Sequence, residues 1–347
     1  MRHVILSLAT GLAIFAIAGF AQTTTHTGGP YKVLKNAKIG GEGGFDYVYA
    51  DVDGRKLYVA RSGPTARVSA FNLDTLNTAG EITNTNARGA ATDAKSHHGF
   101  ASSSPVAMWD SKTLALIKTI PVEGRPDGIL DDPFNHHVYI FSHSAPNATV
   151  IDAKDGTVLG TIDLGGAPEQ AVTDGKGRIY VDIEDKDTVA VVDAKTMKVT
   201  AQYSLNGKGG TCAGLAIDVK NHVLFVACRN PQTMVMLDAN DGKYLSDLPI
   251  GRGCDGAVFN PKTGECFSSQ GDGTLTVIKE KSPTTFEVEQ TVTTMPGAKT
   301  LTLDSKTSKV LLIAAEFGPA PTPAPAGGRG SRGQMIPGSF SIVVVGK

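Results

Sequence analysis

The chain has 347 residues, with 33 basic and 34 acidic side chains, a formal net charge of -1, 19% charged and 41% hydrophobic residues. It is too apolar and too weakly charged for disorder, and it lacks the positive excess of a dedicated nucleic-acid binder. Length alone would allow two domains, but repetition inside the chain argues for one.

Residues 1–21, MRHVILSLATGLAIFAIAGFA, carry Arg2, an apolar run from Val4 to Phe20, and small residues (Gly19, Ala21) at the -3 and -1 positions of a cleavage site. This is the pattern of a secretory signal peptide, leaving Gln22 as the first mature residue and 22–30 as a short linker. The run of 17 residues falls short of the roughly 20 that a spanning helix needs. No later run approaches that length. The expectation is a periplasmic or secreted chain with no membrane span once the peptide is removed.

From residue 31 the sequence repeats. A short apolar strand signal recurs as LYVARS (57–62), GFASSS (99–104), VYIFSH (138–143), IYVDIE (179–184), LFVACR (224–229), CFSSQG (266–271) and LLIAAE (311–316). Each is followed by a second: RVSAFN (67–72), VAMWD (106–110), ATVIDA (148–153), VAVVDA (189–194), MVMLDA (234–239), LTVIKE (275–280) and FSIVVVG (340–346). Short, β-branched runs bounded by Gly, Asp, Asn and Pro read as strands. Matched positions Asp110, Asp152, Asp193, Asp238 and Lys279 are spaced by 42, 41, 45 and 41 residues. That period, with several strands inside it, is the signature of propeller blades. An inner strand such as GILDD (128–132) precedes the two, and an outer one such as TVLGTIDL (157–164) follows. One outer strand is missing at the C-terminus, and YKVLKNAKIG (31–40) has its pattern. The prediction is an all-β, seven-bladed β-propeller of four-stranded antiparallel blades over 31–347, the N-terminal strand closing the last blade against 340–346. A Pro/Gly/Ala-rich insertion, 318–338, interrupts that blade. It reads as a tolerated surface loop, or as a lid offering Arg329 and Arg332 to an anionic ligand.

The block IYVDIEDKDTVAVVDAKTMKVTAQYSL (179–205) resembles the YVTN repeat of the YncE-like seven-bladed propellers, as does LYVARS with its downstream strands. The resemblance covers essentially all of 31–347. It implies an exported bacterial protein and reaches a member that binds DNA. Similar rings are lactonases, lyases and cofactor-dependent dehydrogenases, and the fold does not choose among them. Trp109-Asp110 matches the WD40 dipeptide, but the other units put Ile, Val or Leu before Asp. It reads as packing plus a turn carboxylate.

In a propeller the loops leading into each inner strand share one face with those joining second to third strands. Aligning the former places Asp46, Arg88, Asp127, Glu169, Cys212, Asp255 and Lys299 at a common mouth, and the latter add Arg61, His143, Glu184, Arg229, Gln270 and Glu316. The plain reading is solvated loop charges and turn carboxylates. The sharper one is a ligand site built from Asp46, Arg88, Asp127, Glu169, Arg229, Asp255 and Lys299. Its four converging acids, Asp46, Asp127, Glu169 and Asp255, would hold a cation, pair with Arg88, Arg125, Arg252 and Lys299, or share protons. An all-oxygen set suits Ca²⁺ or Mg²⁺ rather than Zn²⁺. The leading expectation is a binding or scaffold module for a small molecule, metal ion or polymer. The alternative is a metal-assisted lactonase or lyase with His143 or Glu184 as base. Balanced charge, 6% aromatics and one Trp offer few stacking platforms for nucleic acid. His98, His137 and His222 recur at hairpin ends on the opposite face and read as structural.

Four cysteines in an exported chain suggest a disulfide. Pairing Ile217 with Val223 sets Cys212 opposite Cys228, with Cys254 as a competing partner, Cys266 as a buried free thiol, and a soft-metal site on the first three as a further alternative. No Cys-x-x-Cys-His occurs, so covalent c-type haem is not expected.

Overall fold

The computed structural model describes residues 28–145, 147–319 and 333–347. The expected signal peptide (1–21), most of the expected 22–30 linker, and residues 320–332 with Arg329 and Arg332 lie outside the described residues. Seven four-stranded antiparallel sheets form a ring: blade 1 (44–83), blade 2 (90–120), blade 3 (126–162), blade 4 (168–204), blade 5 (212–249), blade 6 (254–293), and blade 7 (299–314 and 341–346, completed by 32–38). Each blade runs from an inner strand at the axis to an outer one at the rim. Among the described residues no helix is long and apolar enough to cross a membrane.

The apolar core is divided into seven clusters, one at each junction between neighbouring blades. At the closing junction Leu57, Val59 and Phe71 of blade 1 pack against Leu311, Ile313 and Ile342 of blade 7, all buried. Both faces of a blade are therefore covered. This is why the second and third strands read as near-continuous apolar runs instead of alternating ones. Each large side chain so buried contributes about 1.5–3 kcal/mol. Trp109 is fully buried, with its ring 5.6 Å from that of Tyr58. The neighbouring Asp110 accepts from the Lys112 and Thr113 amides and the Thr113 hydroxyl, so the dipeptide is packing plus a turn carboxylate.

Lys32–Lys38 pairs antiparallel with Ser341–Gly346, and this N-terminal strand completes the last blade. Just before it, buried Tyr31 meets Phe267 edge-on at 5.1 Å, exchanges backbone hydrogen bonds with the Gln290 amide at 2.9 and 2.8 Å, and donates its hydroxyl to Glu265. The closing segment is thus keyed into blade 6 as well as blade 7. At the base of the 318–338 insertion Phe317 bridges Met335, and the Gly318 amide donates to Gln334.

The disulfide joins Cys212 to Cys228, while Cys254 and Cys266 are free and buried. The register expected from sequence is off by one. Ile217 pairs with Leu224 and Asp218 with Val223, and a bulge between Cys212 and Gly214 restores the cysteines to opposition.

Candidate functional site

That bulge is one of a set. In six of the seven inner strands the pairing with the second strand slips by one residue near the same end. Two inner residues then face one partner: Asp46-Tyr47 against Ala60, Asp127-Gly128 against Phe141, Glu169-Gln170 against Asp182, and Asp255-Gly256 against Ser269. The acid comes first each time. A bulge bends its strand and re-aims the extra side chain, so four blades turn a carboxylate toward the axis at one level. Gly128 follows its acid because a Cβ there would sit 2.8 Å from the Glu169 carbonyl oxygen.

The mouth encloses a cavity of about 320 Å³, with residues from every blade in its lining. Asp46, Arg88, Asp127, His143, Glu169, Arg229, Asp255 and Lys299 all line it, together with Tyr47, Arg125 and Pro126. Glu184 does not; it accepts from the Arg229 guanidinium at 2.5 Å. Of the other mouth positions, Arg61 is buried over the Phe340 ring and donates to the carbonyls of Glu42, Gly43 and Gly44, and Gln270 is buried against Thr274 and Thr276. Arg252 and Glu316 are not among the lining residues.

The acids divide into two groups. Asp255 accepts from Arg229 at 2.6 Å and Lys299 at 2.5 Å. Burial works to raise its carboxyl, but Lys299 and Arg229 outweigh it and hold the group below the usual range. Asp46 accepts from Arg88 at 3.0 Å, with Lys299 at 3.9 Å; burial still raises its carboxyl, against the pull of Lys299. Asp127 and Glu169 instead converge on His143, whose Nε2 lies 3.2 Å from Asp127 Oδ2 and 3.7 Å from Glu169 Oε1. One ligating atom from each of these three residues lies within 4.8 Å of the others. Glu169 is 8% exposed, and burial, followed by the charges of Glu184 and Asp127, pushes its carboxyl up to about 9.

Backbone and side chains hold this group in place. The Ser142 hydroxyl accepts from the Arg125 amide and donates to the Ser144 carbonyl, both at 2.6 Å, fixing the loop before and after His143. Gly124 (φ 80°) runs past that hydroxyl, where a Cβ would stand 2.5 Å from Ser142 Oγ. Tyr47 donates to Glu169 Oε2 at 3.3 Å, and burial keeps its phenol protonated far above neutral pH. Below, the Gln170 amide donates to the Ala257 carbonyl and accepts from the Leu215 and Ala257 amides, each at 3.0 Å, tying blade 4 to blades 5 and 6 as a floor. Tyr47 and Gln170 were not singled out from sequence. They are second members of bulge pairs, and the signal that could have found them was their place just after an aligned acid.

No family model and no curated protein matches the chain. Among solved structures 1677 chains match. One, titled "Crystal Structure of Mitotic Checkpoint Complex", superposes with a TM-score of 0.67 at 11% sequence identity, covering 89% of this chain and 95% of that one. At that identity the likeness is one of fold alone, and it supports the seven-bladed ring.

Proposed function

We propose that this chain is an exported, YncE-like propeller that acts as a binding module, taking a small polar molecule or a polymer end in its mouth. The carrying observation is the 320 Å³ cavity lined by charged side chains drawn from around the whole ring. A packing scaffold alone has no need of them, and concave sites with convergent polar groups are the usual ligand sites. The YVTN-like repeats support the family. The Cys212–Cys228 disulfide is compatible with an oxidising compartment, as expected of a periplasmic or secreted protein. Balanced charge argues against nucleic acid as the ligand.

Thermal melts of chelator-treated protein against small carboxylates, phosphates and sugars test this reading. A ligand at 100 times its dissociation constant adds about 2.7 kcal/mol, a readable upward shift, and an Arg88→Ala, Arg125→Ala double variant should weaken it for an anion. The reading fails if no compound shifts the melt and native mass spectrometry of protein from its own host shows only the bare chain mass.

A second reading has one specific observation in its favour. His143 sits between two carboxylates, as a general base in a metal-assisted lactonase or lyase would. Turnover of lactones or esters that disappears in His143→Ala would support it, and turnover unaffected by that change would remove it.

A further inference from the structure

We propose that Asp127, His143 and Glu169 bind one divalent cation of the zinc or manganese class, with coordination positions left open toward the mouth cavity. The proposal deepens the binding-module reading and rests on it. Four acids line the mouth, and two of them, Asp46 and Asp255, are already matched by Arg88, Lys299 and Arg229 at 2.5–3.0 Å. For Asp127 the nearest guanidinium nitrogen is that of Arg88 at 4.0 Å. The two remaining carboxylates share a single imidazole, and the three groups offer ligating atoms within 4.8 Å of one another.

A second observation points to a ligand. Glu169 is 8% exposed, and its Oε2 is taken by the Tyr47 hydroxyl. Among the described residues its Oε1 has no hydrogen-bond partner; it stands 3.7 Å from His143 Nε2, on the side of the Asp127 carboxylate. That oxygen opens on the mouth cavity, which Glu169 helps to line, so a ligand entering the cavity can take it. The donor set then chooses the ion. One imidazole nitrogen with two carboxylates suits zinc or manganese, whereas Ca²⁺ would ask for six to eight oxygens. This differs from the Ca²⁺ or Mg²⁺ suggested by four converging acids, because Asp46 and Asp255 are occupied and the loop after Ser142 sets His143 beside the other two. Three protein ligands beside an open cavity are the arrangement of a metal that receives a ligand, not of a closed structural site. Ser142, pinning the loop around His143, and Tyr47, orienting Glu169, act as outer supports.

The test is titration of the chelator-treated full-length mature protein with Zn²⁺, Mn²⁺, Ca²⁺ and Mg²⁺ separately, by calorimetry. The expected result is one Zn²⁺ or Mn²⁺ per chain, bound at least about tenfold tighter than Ca²⁺ or Mg²⁺. His143→Ala and Glu169→Gln should each weaken it by more than the roughly 10- to 100-fold typical of losing an outer support. His136→Asn, on the opposite face, should leave it unchanged. Should His143→Ala fail to fold, Glu169→Gln, which keeps the side-chain volume, decides together with the number of histidine ring signals broadened by Mn²⁺: one is expected. No bound metal, affinity that follows His136 instead, or preference for Ca²⁺ overturns the proposal. If metal-free protein takes small molecules but no metal, this site falls and the binding module stands. If metal binds and no organic ligand does, the site stands and the module reading falls.

Discussion

Arg229 is the most heavily shared cation in the mouth, and replacing it with methionine tests the electrostatic account directly. Its guanidinium donates to Glu184 at 2.5 Å, to Asp255 at 2.6 Å and to the Cys254 carbonyl at 2.9 Å. The side chains of Arg229, Glu184 and Asp255 are only 20%, 12% and 17% exposed. Methionine fills most of the volume but leaves buried carboxylate charge behind. Breaking a buried pair from one side costs about 3–5 kcal/mol. Lys299 still faces Asp255, so the lower end, about 3 kcal/mol, is expected at pH 7, a fall of roughly 5 °C in Tm for a chain of this size. The pH dependence carries the sign. Asp255 titrates below its ordinary value of 3.8 in the native protein. Its contribution to stability is therefore present above that value and is lost as pH falls through the folded pKa. The gap between native and variant should be full at pH 7 and shrink toward pH 3.5. Arg229→Lys, with one point charge in place of a planar fork, should recover only part of the loss. A Tm fall below about 2 °C at pH 7, or an equal fall at both pH values, would refute the reasoning.

Other measurements probe the remaining parts. Reducing the disulfide, or a Cys212→Ser, Cys228→Ser variant, removes a cross-link across 16 residues of sequence and should cost about 3 kcal/mol by chain entropy; unchanged urea midpoints would count against it. Cys254 and Cys266 are fully buried, and burial pushes the Cys254 thiol up to about 12, so thiol reagents should titrate two groups in denaturant and essentially none in the native protein. Deleting residues 22–40 strips the partner from Ser341–Gly346 and removes Tyr31 from its pocket; loss of the aromatic alone is worth about 3–5 kcal/mol, and an unaltered Tm would show that closure does not stabilise the ring. In metal-free protein the Glu169 carboxyl, raised from 4.5 to about 9, contributes stability that is full below pH 4.5 and declines as pH rises toward 9. Glu169→Gln should flatten that decline, and parallel stability curves for the two proteins would argue against it.

The ring was legible in the sequence because its signals are local and repeated. Asp110 and Asp193 recur at the end of the third strand since each receives the amide and hydroxyl of a threonine three residues on. Blade 6 has Lys279 there because its hairpin is extended, the strand running on to Ser282 before turning at Thr285. The closing strand was legible by count alone, as an outer pattern with no blade of its own. The bulges left no trace, because a one-residue slip adds nothing that composition or period can register. The reading of Ile217 against Val223 went astray for that reason, and so Tyr47 and Gln170 went unmarked. The site residues themselves were reachable by aligning positions, but their partners were not. Nothing in the chain order says that Arg61 turns away to carbonyl oxygens while Arg229 spans two acids.

What sets this mouth apart is the way its seven near-equivalent positions differ. Around the ring they run Asp46, Arg88, Asp127, Glu169, Cys212, Asp255 and Lys299. The acid of blade 1 stands between the cations of blades 2 and 7, and that of blade 6 between Lys299 and the arginine reaching in from blade 5. Among these positions only blades 3 and 4 set two acids side by side, and there His143, just past the second strand of blade 3, stands in place of a permanent cation. The acids of blades 1 and 6 are each matched by neighbouring cations, so the adjacent acids of blades 3 and 4 are where binding energy remains available. Moving that adjacency to another junction, by Glu169→Arg with Lys299→Glu, should move ligand or metal affinity away from His143 while leaving the blade cores and the net charge intact. Retained affinity at His143 in that double variant would mean that Glu169 is not a ligand and that the order of charges around the axis does not define the site.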